Sequence, residues 1–309
     1  MEKHISGTTG LFTLLGSPVG HSGSPAMYNF SFKQQGLDYA YLAFDIKKDQ
    51  MSEAIDALRL FKVRGSNVTM PCKSIAATLV DELSPAAEIV GAINVIVNDN
   101  GKLIGHITDG VGFVRNLKEN GIDIVDKKLV VIGAGGAATA LEVQCALDGA
   151  RAITIFNRDD NFYANAENTQ KKIKHAKPNV DINVYHLEDQ NKLKTEINSA
   201  DILVNATTVG MKPLDNQTLV DSSYLRADLV VADTVYNPLK TKLIEDAEAL
   251  GCTVAPGKGM LLWQGDAAYK LFTGKICQQL NIKLMRLNRI LISFVGGIVR
   301  WKHVLMGIR

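Results

Sequence analysis

The residues best suited to chemistry lie in a few short stretches. Asn67-Val68-Thr69-Met70-Pro71-Cys72-Lys73 closes an apolar run, and Asn, Thr and Lys at the carboxyl end of a strand project into the crevice where open α/β sheets bind ligands. A second polar cluster accompanies it: Asn94 in the run Ala92 to Val97, and Thr108-Asp109-Gly110 where the returning strand ends. Taken alone, Lys73 equally suits a solvated charge at a helix start, and Asp109 the N-cap of a helix over Gly112 to Asn120. Ser22 and Ser24 flank Gly23 just ahead of Pro25, at a loop-helix junction. One of them could be the N-cap, or the two could hold a carboxylate against a helix N-terminus. The residues of this loop do not choose between those readings.

A different chemistry is written between Lys127 and Ala140, KKLVVIGAGGAATA. Leu129 to Ile132 reads as a short buried strand that empties into Gly133, Ala134, Gly135 and Gly136, and Ala137 to Leu147 has helical spacing. Such a turn lets the backbone approach a pyrophosphate, and the helix N-terminus behind it offers free N–H groups and partial positive charge. The next strand, Ala152 to Phe156, ends in Asn157, Arg158, Asp159 and Asp160. Those carboxylates fall about two dozen residues beyond the glycines, where an acidic side chain reaches the ribose 2′-hydroxyl of NAD.

The elements that must position these residues follow an alternating rhythm. Strands are expected at Leu11 to Gly16, Tyr39 to Ile46, Gly65 to Thr69, Ala92 to Val97 and Leu103 to Ile107, with a hairpin at Asn98 to Lys102. Helices are expected from Pro25 through about Gln35 and over Met51 to Phe61. Beyond the glycine turn, Ile182 to Tyr185, Ile202 to Asn205 and Leu229 to Asp233 continue a βαβ pattern of a parallel, doubly wound sheet. The fold class is therefore α/β with two domains, an N-terminal α/β substrate domain and a Rossmann-type doubly wound dinucleotide-binding domain. The expected division is 1–110 for substrate binding and catalysis and 111–258 for the dinucleotide. Residues 259–288 return to the first domain, and 289–309 form a tail to which no role is given.

Composition narrows the partners. A chain of 309 residues that is 46% hydrophobic can bury two cores. A net charge of +2 gives no basic footprint for nucleic acid, so a small molecule is the expected partner. Cys72, Cys145, Cys252 and Cys277 lie far apart without metal-ligand spacing, which suggests neither a disulfide framework nor a metal site and fits a reducing cytoplasm. The opening MEKHISGTTG lacks the apolar core of a secretory signal, and no apolar run has the length of a membrane span.

Taken in order, the segments Ser22-x-Ser24-Pro25, Asn67-Val68-Thr69-x-Pro71-x-Lys73, Gly91-Ala92-x-Asn94, Thr108-Asp109-Gly110, Gly133-Ala134-Gly135-Gly136-Ala137, Tyr236-Asn237-Pro238 and Gly259-Met260-Leu261-Leu262-x-Gln264-Gly265 resemble the shikimate dehydrogenase family, nearest its quinate/shikimate dehydrogenase branch. The likeness runs from about residue 10 to 285. It implies that Ser22 and Ser24 bind a substrate carboxylate with help from Thr69 and Tyr236, that Asn67, Asn94 and Gln264 hold ring hydroxyls, and that Lys73 and Asp109 form the catalytic pair. These types suit a polyhydroxylated ring acid, which needs one anion site and several neutral donors and acceptors.

The implied reaction is reversible hydride transfer between the C3 carbinol of shikimate, or the equivalent carbinol of quinate, and a nicotinamide, in aromatic amino acid and chorismate biosynthesis or quinate metabolism. Lys73 is the candidate to manage the hydroxyl proton. The resemblance gives the dinucleotide site as Gly133 to Ala137, Asn157 to Asp160, Thr207, Thr208, Thr234 to Asn237 and Gly257, with Gly257 and Gly259 flanking a turn beside the nicotinamide. NADP-specific members follow the Asn-Arg pair with basic residues or threonine, whereas Asp159 and Asp160 stand here, so NAD is the expected cofactor, with NADP possible through Arg158. Thr208 stands where the branch often has lysine. The family implies a homodimer only by analogy. Two other readings are a dehydrogenase of another cyclic substrate, such as a methylene-tetrahydrofolate dehydrogenase-like protein, and a catalytically silent NAD-binding regulatory module. The paired serines with Asn94 and Asp109 oppose the first, and Lys73 with Asp109 the second.

Overall fold

The computed structural model describes residues 5–278, so the tail over 289–309 and the end of the segment before it lie outside the described residues. The first lobe is built from β1 (Gly10–Gly16), α1 (Ser24–Gln34), β2 (Tyr39–Asp45), α2 (Met51–Leu60), β3 (Gly65–Val68), α3 (Lys73–Ala77), β4 (Glu82–Leu83), α4 (Pro85–Val90), β5 (Val95–Asp99) and β6 (Lys102–His106). Its sheet runs β2-β1-β3-β5-β6-β4. Strand β1 pairs in parallel with β2 and β3, while β5 is antiparallel to both β3 and β6. The β5–β6 hairpin turns on Asn100 and Gly101, both at positive φ (53° and 100°), the backbone that matches the right-handed strand twist.

Alternation along β1 divides two cores. Phe12 and Leu14 pack with Tyr28, Phe32, Tyr41 and Tyr269 on one face, and Leu15 packs with Met51, Ile55 and Val68 on the other.

The connecting helix α5 (Asp109–Glu119) leads into β7 (Lys128–Ile132), α6 (Gly136–Leu147), β8 (Ala152–Asn157), α7 (Tyr163–Ala176), β9 (Asp181–His186), α8 (Gln190–Asn198), β10 (Ile202–Asn205), β11 (Val230–Asp233), α9 (Lys242–Ala249) and β12 (Thr253–Ala255). These strands form a second sheet, β12-β11-β10-β7-β8-β9, parallel at every pairing. The near-continuous apolar runs of β7, β8 and β10 are what a sheet covered on both faces requires. Strand order reverses between β7 and β10, the place where a doubly wound sheet opens a crevice at its carboxyl end. Helix α10 (Gly257–Thr273) then leaves the second sheet and packs along α5.

Three boundaries differ from the sequence expectation, each for a tertiary reason. Helix α5 begins at Asp109 rather than Gly112, because the backbone N–H of Thr108 donates to Asn94 Oδ1 at 2.8 Å and fixes the entry to the helix. Strand β5 begins at Val95 rather than Ala92, which leaves Asn94 just outside the ladder with its side chain free to reach Thr108. No turn separates Gly257 from Gly259, since both lie in the first turn of α10. A Cβ at Gly257 would approach Val235 O to 2.5 Å, so the chain there presses directly on the loop after β11.

Candidate active site

Strand β3 ends at Val68, and the next residues deliver Thr69 and then Lys73, the first residue of α3. The backbone N–H of Thr69 donates to Leu15 O at 2.9 Å, tying this loop to the end of β1. Lys73 is neither fully solvated nor idle. Its Nζ donates to Asp109 Oδ2 at 2.5 Å, with side chains 26% and 16% exposed. Asp109 is therefore not the N-cap of α5; Thr108 takes that position and Asp109 points its carboxylate across to the other element.

Asn94 holds the pair in place. Its Nδ2 lies 2.9 Å from Thr108 Oγ1, 3.3 Å from Asp109 Oδ1 and 3.2 Å from Gln264 Oε1. Asn67 Nδ2 in turn donates to Asn94 O at 3.2 Å. Thus Asn67, Lys73, Asn94, Asp109 and Gln264, drawn from β3, α3, the start of β5, α5 and α10, form one polar network. Two further members had no role in the sequence reading, Thr108, which was noted only within its polar cluster, and Tyr41. Thr108 is 3% exposed and donates from Oγ1 to Gln264 O at 3.1 Å, and Tyr41 donates from its hydroxyl to Asn67 Oδ1 at 2.7 Å. Thr108 carried a signal in the Thr-Asp-Gly triplet; Tyr41 sits in an alternating apolar strand and carried none.

In the loop from β1 to α1 neither serine is the N-cap: Gly23 takes that position, and Ser24 is the first helical residue. Ser22 Oγ accepts from the Ser24 backbone N–H at 3.3 Å. Both are half-buried at this helix start, where Ser22 Oγ takes the first helical N–H and the N-cap itself supplies no side chain, an arrangement that can receive a carboxylate.

On the second lobe a cleft of about 480 Å³ opens at the carboxyl ends of β7, β8, β10 and β11. Gly133, Ala134, Gly135, Gly136 and Ala137 line one wall; Asn157, Arg158, Asp160 and Phe162 a second; Thr207, Thr208, Thr234, Val235, Tyr236 and Asn237 a third. Gly133 has φ +114°, and a Cβ there would press on Ala206 O at 2.8 Å, so only glycine lets the strand turn into α6. Positions Gly135 and Gly136 open onto empty space, and α6 begins with no side-chain cap and no acid in its first turn. That combination suits a dinucleotide pyrophosphate.

Two expected cofactor residues are placed elsewhere. Both aspartates are exposed, but Asp160 lines the cleft and Asp159 does not. Asp160 Oδ1 accepts from Asn157 Nδ2 and from Phe162 N, both at 2.9 Å, leaving Oδ2 at 3.6 Å from Arg158. Gly257 is buried behind Thr234 and Val235 and backs the wall without lining it.

Asp233, which the sequence reading did not single out, anchors the third wall. It accepts from Asn205 Nδ2 at 3.0 Å, Thr241 Oγ1 at 2.6 Å and Val235 N at 2.9 Å, while burial pushes its carboxyl up to about 6. No group of metal-ligating side chains forms among the described residues.

The two regions face each other because α5 and α6 meet. Gly110, next to Asp109, is packed against the Ala140 backbone of α6, and Gly112 against the backbone of Gln264 and Met260 on α10. The Lys73–Asp109 pair thus sits at the seam between the lobes.

Known proteins are similar to this chain in sequence and fold. The family model described as the shikimate dehydrogenase substrate binding domain matches residues 14–96. A relative from Listeria innocua named shikimate dehydrogenase (NADP(+)) is 49% identical over 276 residues, 89% of this chain and 94% of that one. The crystal structure of shikimate 5-dehydrogenase from Listeria monocytogenes in complex with shikimate and NAD is 46% identical, covers 93% of this chain and 99% of that chain, and superposes with a TM-score of 0.89. Quinate dehydrogenase from Corynebacterium glutamicum in complex with NAD is 29% identical over 90% of this chain and 99% of that one, with a TM-score of 0.81. With its motifs in order and its two lobes intact, this chain belongs to the shikimate dehydrogenase family.

Proposed function

We propose that this chain catalyses reversible NAD(P)-dependent hydride transfer between shikimate, or quinate, and the corresponding 3-dehydro acid. The observation that carries the reading is the Lys73–Asp109 pair at 2.5 Å, set among neutral amides at the seam between the two lobes. When bound, the nicotinamide supplies the hydride chemistry. The protein's part is to orient the ring and to move one proton. Ser22 and Ser24, with Thr69 and Tyr236, receive the carboxylate, and Asn67, Asn94 and Gln264 meet the ring hydroxyls. Lys73 Nζ gives a proton to the C3 oxygen on reduction and takes it back on oxidation, with Asp109 holding the lysine in line.

Lys73→Ala is expected to lower kcat by about 10²- to 10⁴-fold while dinucleotide binding stays as in the wild type. Steady-state turnover and a dinucleotide titration measure both, and near-wild-type turnover would return Lys73 to an ordinary surface charge.

The proposal extends to NAD as the preferred cofactor. Asp160 places a carboxylate in the cleft wall where a 2′-phosphate would be repelled and a 2′-hydroxyl accepted. A Listeria monocytogenes relative is named for NADP(+), yet a shikimate 5-dehydrogenase from that species has been crystallised with NAD, so names within the family do not decide the preference. A homodimer, by analogy with the family, and a cytoplasmic setting, from the scattered free cysteines, complete the proposal; sedimentation equilibrium tests the first.

A further inference from the structure

Behind the substrate residues, two buried phenols join side chains from several elements. Tyr41 on β2 is fully buried, and its hydroxyl donates to Asn67 Oδ1 at 2.7 Å. Tyr28 on α1 is 1% exposed and donates to the main-chain oxygen of Gly265 at 3.0 Å, one residue past Gln264 on α10.

The donors can be ordered from the acceptors alone. A carbonyl oxygen only accepts, so Tyr28 uses its proton on Gly265 and Tyr41 uses its proton on Asn67. Asn67, held in this way, donates from Nδ2 to Asn94 O at 3.2 Å, so that Tyr41, Asn67 and Asn94 form one connected run in which each bond polarises the next. Packing fixes the rings: their centroids are 4.7 Å apart, and Tyr28 stacks on Tyr269 at 5.8 Å. Neither phenol lines the dinucleotide cleft.

We propose that Tyr41 and Tyr28 are positioning residues for the acid substrate, holding Asn67 and the turn of α10 that carries Gln264 in place at the ring hydroxyls. This rests on the function proposed above. Loss of the Tyr41 oxygen leaves Asn67 Oδ1 without this donor, and loss of the Tyr28 oxygen does the same to the Gly265 carbonyl, so the groups that meet the ring lose their fixed placement.

The test is steady-state kinetics of Tyr41→Phe and Tyr28→Phe, varying shikimate and dinucleotide separately. KM for the acid is expected to rise about tenfold in each variant, with KM for the dinucleotide within about twofold of wild type. Combined with Asn67→Ala, Tyr41→Phe is expected to add little, because both act through one contact. The proposal is overturned if the acid KM stays within about twofold in the folded variants, or if both KM values and the melting temperature move together as plain core damage would make them. Should Tyr41→Phe not fold, Tyr28→Phe carries the same two outcomes. A wild-type protein that turns over neither shikimate nor quinate defeats the proposed function and is distinguished by that result from a failure of the tyrosine proposal.

Discussion

Two adjacent aspartates show how much a single side-chain direction matters. Asp159 and Asp160 look equivalent in sequence, but only Asp160 faces the cleft, and it does so because Asn157 Nδ2 and Phe162 N hold one of its oxygens. Cofactor selectivity should therefore sit in one residue of the pair. Asp160→Ala is expected to raise the kcat/KM ratio of NADP to NAD by roughly tenfold, a change of about 1.4 kcal/mol, whereas Asp159→Ala should leave it within about twofold. Measuring both variants with both cofactors checks this, and unchanged selectivity in both would remove the basis for an NAD preference. The same lesson applies to Tyr41 and Tyr28. An alternating strand such as YAYLAFD announces which rings go inside, but not what a buried hydroxyl will touch, because its partners come from residues far along the chain.

Among the elements, β7, its glycine turn and α6 were legible from residue types, since strand period, obligatory glycine and helix start all agree there. The starts of β5 and α5 were misplaced by three residues each because Asn94 and Thr108 cap one another across the hairpin, a contact no local pattern encodes. Helix α6 also contains a residue its spacing did not flag. Glu142 is fully buried, neither carboxylate oxygen has a hydrogen-bond partner, and burial pushes its carboxyl up to about 8. The folded state thus keeps Glu142 neutral while the unfolded chain ionises it above its ordinary value near 4.5. Stability contributed by this residue is highest below pH 4.5 and declines as pH rises to about 8, by roughly 3 to 5 kcal/mol. Glu142→Met should raise the melting temperature, and by more at pH 9 than at pH 4. Thermal denaturation at the two pH values measures it, and an equal or opposite shift would show that the carboxyl is not held neutral.

At the scale of the molecule, the two sheets are consecutive in sequence, but the first lobe is not. Tyr269 and Phe272 of α10 pack into the aromatic cluster around Phe12, Tyr28 and Phe32, and Gln264 on the same helix enters the polar network at the seam. A chain ending at Pro256 would hold every strand of both sheets yet lack this helix. Such a truncation should keep a cooperative transition for the second lobe while the first becomes susceptible to protease, which limited proteolysis with fragment mapping can establish. Intact resistance in the first lobe would show that α10 is dispensable to it.

Synthesis from the N-terminus gives that topology a temporal meaning. The strands that lead to Lys73 emerge early, and they wait with an open aromatic face until the final helix of the described chain leaves the ribosome. Only then can the ring-binding half be completed, so a nascent chain that stalls late will have a formed nucleotide half and no competent place for the acid.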